Sequence, residues 1–386
     1  MCPLEWIFWV CFALAAYTYI FYPILLVLAN CLVRQERAIG PVQTSVSILL
    51  PVHNEEQYLE RRLDELSRMI EASGILGEVI VISDASTDRT VEIARQFAQR
   101  GVRAVEMATK QGKATALNAG AAAASGALLI FADARQRWAD DALLRLVENF
   151  ADSAIGAVSG DLVLESSPGV LAGVGLYWRF EKWLRRQESR VGSQVGVTGA
   201  ISAVRQSLFH PIPPGTLLDD VYWPMHVVLQ GYRVVHDESA KAFDRLPEHP
   251  RDEFRRKVRT LAGNFQLLTC LPAAALLPWA NRVWWQWISH KILRLAVPWA
   301  LLGLFVSCFF LSNEWYRIFF WVQTAAYGLA VLGLIPPLGR NIKLLGAAAS
   351  FLLLNAAAWL AFWVWITGRA GQSWHKAQYQ TTAESG

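Results

Sequence analysis

The sequence of 386 residues lacks a disulfide framework and any cysteine or histidine spacing typical of a zinc site. Its five cysteines lie in or beside apolar segments, and the stretch from Pro41 to Ala262 contains none. A reducing compartment is therefore the simpler interpretation. The sequence also has no G-x-G-x-x-G or Walker loop and no Ser-His-Asp order, which argues against the enzyme classes that those motifs define. We expect four histidines to be structural: His210, His226, His236 and His249.

A strong charge of either sign is also missing, because the formal net charge is only +4 at pH 7. This value argues against a nucleic-acid partner and fits basic residues that face anionic lipid. Hydrophobic residues, in contrast, make up 54% of the chain, and its mean hydropathy is +0.27. The 17 tryptophans gather near the ends of the apolar runs, where aromatic belts lie in membrane proteins. The composition predicts one soluble domain joined to a few membrane spans.

The first apolar segment, Trp6 to Ala29, is uncharged and has about the length that a bilayer requires. A cleaved signal peptide is the alternative, but the leader Met1 to Glu5 has no basic residue and no small-residue cleavage site follows the segment. We therefore expect an uncleaved anchor. Arg34 and Arg37 come directly after it, so the positive-inside rule predicts that the next domain is cytoplasmic.

The last third of the chain is apolar again, and three runs are long enough to span: Leu295 to Leu311, Ile318 to Ile335 and Leu344 to Ile366. Residues 263–294 contain prolines and mix tryptophans with basic residues, which predicts amphipathic interfacial helices. The side of the membrane on which the tail lies stays open. The number of predicted spans places the tail outside, whereas its basic residues favour the cytoplasmic side. The predicted organisation is an anchor and linker at 1–40, a mixed domain at 41–262, interfacial helices at 263–294, about three spans at 295–367 and a polar tail at 368–386.

Residues 41–262 alternate short apolar runs with longer amphipathic ones, a pattern that predicts βαβ units and an α/β fold class. Four strands are predicted, at Ser45–Val52, Glu78–Ser83, Val102–Met107 and Ala127–Ala132. Helices are predicted at Glu55–Ile70, at Lys113–Ser125 and, with Asp88 as N-cap, at Asp88–Arg100. Ligands of such sheets bind beyond the carboxyl ends of the strands. Three of these ends carry polar residues, so we expect them to converge on one edge: His53-Asn54-Glu55, Asp84-Ala85-Ser86 and Asp133.

Each of these polar groups has a structural and a functional interpretation. Asp84, Ser86 and Asp88 form a D-x-S-x-D cluster that either caps a turn or accepts hydrogen bonds from a ribose or a base. Asp133 either begins a loop or holds Mg²⁺ or Mn²⁺ against phosphates. Lys113, at a helix start, is either a solvated surface residue or a cation for a phosphate.

Two further groups lie nearer the carboxyl terminus. Asp219 and Asp220 open a predicted helix, where they either stabilise its amino terminus or supply a general base for a hydroxyl. A basic cluster that ends with Arg259 precedes the carboxyl-terminal apolar region. Attraction to lipid headgroups explains such a cluster, and Arg259 can at the same time grip a diphosphate with its planar guanidinium.

Seven strings in this region resemble, in order, the motifs of the family 2 glycosyltransferases, whose fold is named GT-A. They are SILLPVHNEE, VISDASTDRT, GKATALNAGA, FADARQRW, TGA, LLDD and RRKVRT, and they cover residues 45–260. The flanking hydrophobic segments resemble those of membrane-bound members that make polysaccharides or glycolipids. The resemblance implies an inverting transfer from a nucleotide-sugar, with a UDP-sugar as the expected donor.

The resemblance also implies a role for each matching residue. Asp220 matches the catalytic base, and Asp219 stands beside it where Glu is usual. Asp133 matches a position that binds the divalent cation. The expected donor-binding residues are His53, Glu55, Asp84, Ser86, Lys113, Asp133 and Arg259. The expected acceptor-binding residues are Thr198, Gly199 and Ala200.

Two positions depart from the family pattern. The D-x-D motif reads Asp133-Ala134-Arg135, so its second carboxylate is missing and the need for a divalent cation stays open. Arg135 can supply positive charge itself. The Q-x-x-R-W motif of polymerising members ends here in Thr260, which removes the aromatic platform for an acceptor and favours single additions.

The expected function is transfer of a sugar to a lipid-linked or saccharide acceptor at the cytoplasmic face of the inner membrane, with membrane lipids as partners. One rival is a processive synthase that extrudes its polymer, and product length distinguishes it. The other is a non-catalytic assembly subunit, and donor hydrolysis distinguishes that. A transporter is less favoured because the predicted spans carry almost no charged residues.

Overall fold

The computed structural model describes residues 2–165, 172–245, 250–335, 338–339 and 342–368. The prediction for His249 and most of the predicted tail lie outside these residues. Within them, the strands β1 to β8 are Ser45–Val52, Leu76–Asp84, Val102–Met107, Leu128–Ala132, Arg137–Trp138, Ile155–Glu165, Ile201–Arg205 and Arg233–Arg245. The longer helices α1 to α11 are Pro3–Leu32, Glu56–Ser73, Thr90–Gln96, Lys113–Ala123, Ala142–Glu148, Ala172–Val191, Asp219–Leu229, Pro250–Cys270, Trp284–Phe310, Glu314–Gly333 and Lys343–Ile366.

The strands form one mixed sheet in the order β3-β2-β1-β4-β7-β6-β8-β5. The first four strands are parallel, and β7 runs antiparallel between β4 and β6. Strand β1 is buried on both faces, because Ile48 and Leu50 join one core and Leu49 joins the other. This double burial explains its unbroken apolar run. The architecture confirms the predicted α/β class and the four predicted strands, two of them with the predicted bounds.

Helices cover both faces of the sheet. Leu63 of α2 and Leu146 of α5 pack in one core, and Leu117 of α4 and Trp223 of α7 pack in the other. The predicted helix Asp88–Arg100 is shorter, since α3 ends at Gln96 and a 3₁₀ turn follows at Ala98–Arg100.

The predicted N-cap Asp88 stands one residue before the observed N-cap of α3, Arg89. Its Oδ1 nevertheless accepts the backbone N–H of Thr90 at 3.0 Å. Its Oδ2 accepts the N–H of Glu56, in the first turn of α2, at 3.2 Å. One carboxylate therefore satisfies backbone donors at the starts of two helices.

Among the described residues, three helices are long and apolar enough to cross a membrane: Pro3–Leu32, Trp284–Phe310 and Leu344–Ile366. The predicted span Ile318–Ile335 corresponds to α10, which is not one of these three. It ends at Gly333, before the last apolar residues of the predicted run, and contains Arg317 and Gln323.

The helices of the last third pack directly against the α/β domain. Ala357 and Ala361 of α11 share a core with Val258 and Ala262 of α8, a helix that crosses the predicted domain boundary at residue 262. The predicted interfacial segment likewise does not end at residue 294, because α9 continues from Trp284 to Phe310 through a π-helical turn. The α/β domain and the apolar helices therefore belong to one packed structure.

Candidate active site

The loops that follow β1 and β2 interlock at the carboxyl edge of the sheet. The Nδ1 of His53 bonds to the carbonyl oxygen of Asp84 at 2.7 Å, and the N–H of Asn54 donates to Ser86 Oγ at 3.1 Å. Asn54 and Ala85 both have a φ of 53°, in the left-handed region that non-glycine residues rarely occupy. Such conformations persist where surrounding contacts hold them, and they cluster at functional sites. The two loops thus form a fixed platform.

The carboxylate of Asp84 organises the loop that leads to Lys113. It is 3% exposed, and its two oxygens accept the backbone N–H groups of Gln111 at 2.7 Å and Gly112 at 2.9 Å. These two hydrogen bonds give Asp84, at the end of β2, a structural role. Each oxygen keeps a second lone pair, so contact with a ribose or a base stays a prediction. Glu55 holds the same platform through its N–H, which donates to Thr90 Oγ1 at 2.9 Å.

Lys113 is the central cation of the site. Its Nζ lies 2.9 Å from Asp133 Oδ1, which joins the first residue of α4 to the end of β4. Burial lowers the pKa of Lys113, but Asp133, Asp219 and Asp220 outweigh it, and the pKa is raised. Lys113 is therefore charged and ringed by carboxylates, which fits a phosphate-binding cation better than a solvated surface residue.

Asp219 and Asp220 begin α7, yet neither is its cap, because the N-cap is Leu218 and no side chain bonds there. Burial raises the pKa of Asp220 to about 6, with help from the charge of Asp219. Burial also raises the pKa of Asp219, whose carboxylate is influenced by Lys113 and Arg259. In the part of the chain that the structure describes, Asp220 Oδ1 is buried without a hydrogen-bond partner. An ionisable oxygen left unbonded in a buried position suits a general base.

The Thr198-Gly199-Ala200 segment lies against these charged groups. A Cβ placed on Gly199 would stand 3.4 Å from Lys113 Nζ and 3.8 Å from Asp220 Cβ. The preceding residue, Val197, donates its N–H to the carbonyl oxygen of Asp220 at 2.8 Å. The Ala200 carbonyl oxygen accepts the indole N–H of Trp138 at 3.1 Å, which anchors the segment. Gly199 therefore lies close to both Lys113 and Asp220, and a larger side chain at this position would occupy the place between them.

Asp133 is the only carboxylate of the predicted D-x-D motif, and its neighbourhood bears on metal binding. Arg135 turns towards β8, where its guanidinium lies 4.0 Å from Asp244. Among the described residues, no group of three or more His, Cys, Asp or Glu side chains could hold a metal ion. Mg²⁺ sites, however, often use one or two carboxylates together with substrate phosphates. Asp133 alone fits that type of site when a diphosphate supplies the other ligands.

Two basic residues beside the site belong to none of the motifs found in the sequence. Arg185 of α6 donates from Nη1 to Thr198 Oγ1 at 3.4 Å. Lys291 of α9 and Arg185 both lower the pKa of Asp220 by their charge. Sequence reasoning missed them because their position depends on how α6 and α9 pack, and the basic composition of both helices was the only available signal.

The predicted site residues lie together, and most of them are connected by the contacts described above. Arg259 is connected to the site by its charge, which lowers the pKa of Asp219. Lys113, Asp220 and Gly199 lie together at one edge of the sheet. The arrangement can hold an anionic leaving group on the Lys113 side and deprotonate a hydroxyl on the Asp220 side.

Comparisons with known proteins concern the family and the fold of the chain. Residues 47–212 match the family model described as Glycosyl transferase family 2. Proteins of Staphylococcus aureus (strain COL) and Staphylococcus epidermidis, both named poly-beta-1,6-N-acetyl-D-glucosamine synthase, are 25% identical over 232 residues. Each alignment covers 58% of this chain and 55% of the relative, so the chain spans about half the length of these curated relatives.

Among solved structures, the mannosyltransferase PcManGT from Pyrobaculum calidifontis, in complex with GDP-Man and Mn2+, is similar with a TM-score of 0.69. The match covers 95% of this chain and 99% of that one at 22% identity. At this identity the similarity shows a shared fold, which here includes the apolar helices.

Proposed function

This chain is a family 2 glycosyltransferase, and we propose that it moves a sugar from a UDP-sugar to a hydroxyl of a lipid-linked or saccharide acceptor at the cytoplasmic membrane face. One observation carries the proposal. Gly199 lies against both Lys113, which contacts Asp133, and Asp220, whose carboxylate oxygen is buried and unbonded among the described residues. A cation for the donor and a base for the acceptor therefore lie on either side of one residue that has no side chain.

In the proposed reaction, Asp220 takes the proton of the acceptor hydroxyl while the oxygen attacks the anomeric carbon. The bond from that carbon to the diphosphate breaks on the opposite face, which inverts the configuration and releases the nucleoside diphosphate. A pKa of about 6 leaves Asp220 ionised at pH 7 and close to the range that favours proton transfer. Lys113 and Arg259 stabilise the charge that develops on the leaving diphosphate.

Asp133 would hold a divalent cation together with the donor diphosphate. That ion, when bound, supplies further neutralisation of the leaving group. The remaining donor contacts are assigned to the platform of His53, Glu55, Asp84 and Ser86, which faces the same edge.

The names of the curated relatives favour a second candidate, a processive synthase of a polysaccharide. Thr260 supports single additions instead. It is exposed, and its Oγ1 donates to the carbonyl oxygen of Arg256 at 3.0 Å, so the position offers no aromatic surface to a sugar. Product length decides between the two: one added sugar for each acceptor, or a ladder.

The proposed activity is tested by incubating the purified full chain in detergent with nucleotide-sugars, with and without Mn²⁺, and measuring nucleotide release. The set includes UDP-N-acetylglucosamine, UDP-glucose and GDP-mannose. We expect release from a UDP-sugar, and greater release with Mn²⁺. An absence of release from every donor would favour the non-catalytic alternative, and release from GDP-mannose alone would overturn the assignment of the nucleotide.

A further inference from the structure

A cavity of about 390 Å³ lies beside the linker that follows the first apolar helix. We call it the linker cavity. Residues 34–39 form one wall, the end of α6 forms the second, and the beginning of β8 forms the third. The described residues that line it include none of those assigned to the donor, the acceptor or the base, so this cavity is separate from the candidate active site.

The walls of the linker cavity carry more positive than negative charge. Among the described residues that line it are five arginines and three carboxylates: Arg34, Arg37, Arg186, Arg190, Arg233, Glu36, Asp237 and Glu238. His236 also lines the cavity and is neutral at pH 7, because burial lowers its pKa to about 4. Asp161, which faces His236 at 3.8 Å, is paired with Lys182 at 2.9 Å. Five positive against three negative charges therefore leave the walls with a net charge of +2.

The excess lies on particular arginines. Two are paired within the walls, Arg37 with Asp237 at 3.4 Å and Arg186 with Glu238 at 3.0 Å. Arg34 and Arg190 are exposed, and within the described parts of the chain their side chains form neither an ion pair nor a hydrogen bond. Both guanidinium groups are therefore available to a ligand.

Arg233 is the buried cation of the cavity. It is 7% exposed, and its guanidinium donates to three backbone carbonyl oxygens, those of Gly192 at 2.7 Å, Glu36 at 3.3 Å and Gln35 at 3.4 Å. Within the described ranges it forms no ion pair. A guanidinium has five N–H donors, so two remain. Since a buried charge is costly without a counter-charge, an anion in the cavity would stabilise Arg233.

Charges outside the walls do not supply that counter-charge. Burial lowers the pKa of Arg233; of the groups that do not line the cavity, Asp152 raises this pKa by its charge and Arg282 lowers it. The two effects oppose each other. The buried guanidinium thus keeps its need for an anion.

The position of the cavity indicates where the anion comes from. Helix α1, one of the three helices able to cross a membrane, ends at Leu32, two residues before Arg34. Near this end Asn30 Nδ2 donates to the carbonyl oxygen of Gln187 at 3.1 Å, which holds the α6 wall beside α1. Basic residues directly beside the end of a membrane span lie at the depth of anionic lipid headgroups.

We propose that the linker cavity binds the phosphate of an anionic phospholipid, with Arg34, Arg190 and Arg233 as its ligands. Arginine suits this role because its planar guanidinium matches the oxygens of a phosphate. A free phosphate ion has the same chemistry, but the cavity lies beside the end of a helix able to span the membrane, which favours a lipid. The site goes beyond the proposed sugar transfer and uses none of its residues.

The test measures equilibrium binding of short-chain lipids to the purified full chain in neutral detergent. Dioctanoyl phosphatidylglycerol is the anionic probe, dioctanoyl phosphatidylcholine carries a phosphate without net charge, and inorganic phosphate is the free anion. We expect phosphatidylglycerol to bind at least about 10-fold more tightly than either of the others, the effect of one hydrogen bond between charged groups.

Variants assign the binding to the cavity. The double variant Arg34→Gln/Arg190→Gln should weaken phosphatidylglycerol binding at least about 10-fold. Arg34→Lys/Arg190→Lys should recover part of the loss, because it keeps the charge but not the planar fork. Arg179→Gln is the matched control, since Arg179 is an exposed arginine of α6 that does not line the cavity. It should bind like the wild type, and all variants should unfold at the wild-type temperature.

Three results would overturn the proposal: equal affinity for phosphatidylglycerol and phosphatidylcholine, unchanged phosphatidylglycerol binding in the double glutamine variant, or an equal loss in Arg179→Gln. The last would show a general attraction of the basic surface and no site in the cavity. Inorganic phosphate that binds as tightly as phosphatidylglycerol would overturn the assignment to a lipid.

Discussion

Replacement of Asp220 by Asn keeps the shape of the side chain and removes its ability to accept a proton. A positioned general base usually contributes about 10²–10⁴-fold to a rate, which corresponds to about 3–5 kcal/mol of barrier. We expect Asp220→Asn to lose transfer by this factor. UDP affinity should stay within about 3-fold of the wild type. After Asp219, the charges that most affect the pKa of Asp220 are those of Arg185, Lys113 and Lys291, and of these only Lys113 belongs to the donor side.

The pH dependence sharpens this prediction. Burial raises the pKa of Asp220 to about 6, and the base works only when it is ionised. For a single group of that pKa, about 97% is ionised at pH 7.5 and about 9% at pH 5, so the wild-type rate should fall about 10-fold between them. Asp220→Asn should lose this dependence.

The assay measures UDP release with saturating donor, from pH 5 to pH 8, in the wild type and in Asp220→Asn. Equilibrium binding of UDP to both proteins at pH 7.5 is the control for folding. Wild-type turnover in the variant, or a retained rise near pH 6, would remove Asp220 from the proposed mechanism.

Three further predictions follow from the same charges. Asp219→Asn removes a negative charge that raises the pKa of Asp220, so the midpoint of the pH–rate profile should move below 6; a midpoint that stays or rises contradicts this coupling. Lys113→Met removes the cation that contacts Asp133, and the KM for the donor should rise about 10- to 100-fold, with unchanged donor KM as the contrary result. Glu181→Gln removes the buried carboxylate that Lys291 and Arg294 contact, which should destabilise the fold by about 3–5 kcal/mol and lower the unfolding temperature in detergent. An unchanged melting curve would show that these ion pairs are not important for stability.

Periodicity and strand-end chemistry were enough to predict the first half of the domain. The strands Ser45–Val52 and Val102–Met107 were predicted to the residue, because unbroken apolar runs bounded by polar residues read clearly as buried parallel strands. The convergence of the strand ends at Asp84 and Asp133 was also predictable, since carboxyl ends of parallel strands meet at one edge. Lys113, at the start of α4, connects the two, because its neighbour Gly112 bonds to Asp84 and its own Nζ contacts Asp133.

The later elements depend on tertiary contacts that no local pattern encodes. Strand Ile201–Arg205 is antiparallel between two strands far from it in sequence, and the sequence analysis did not predict it. The sequence analysis did not predict that Trp284–Phe310 is one continuous helix, because the basic residues Lys291 and Arg294 indicated a segment at the membrane interface. Their charges are met instead by Glu181 of α6, about 110 residues earlier, as the sequence separations of these contacts show.

The proposed transfer requires that a nucleoside diphosphate binds between Lys113 and Arg259 at the carboxyl edge of the sheet. The direct measurement is equilibrium binding of labelled UDP to the full chain in detergent, comparing the wild type, the double variant Lys113→Met/Arg259→Gln, and Arg255→Gln, an exposed change on the same helix as Arg259. We predict that UDP binds the wild type and Arg255→Gln alike and that the double variant loses this binding. Undetectable UDP binding to the wild type, or equal binding by the double variant, would contradict the account.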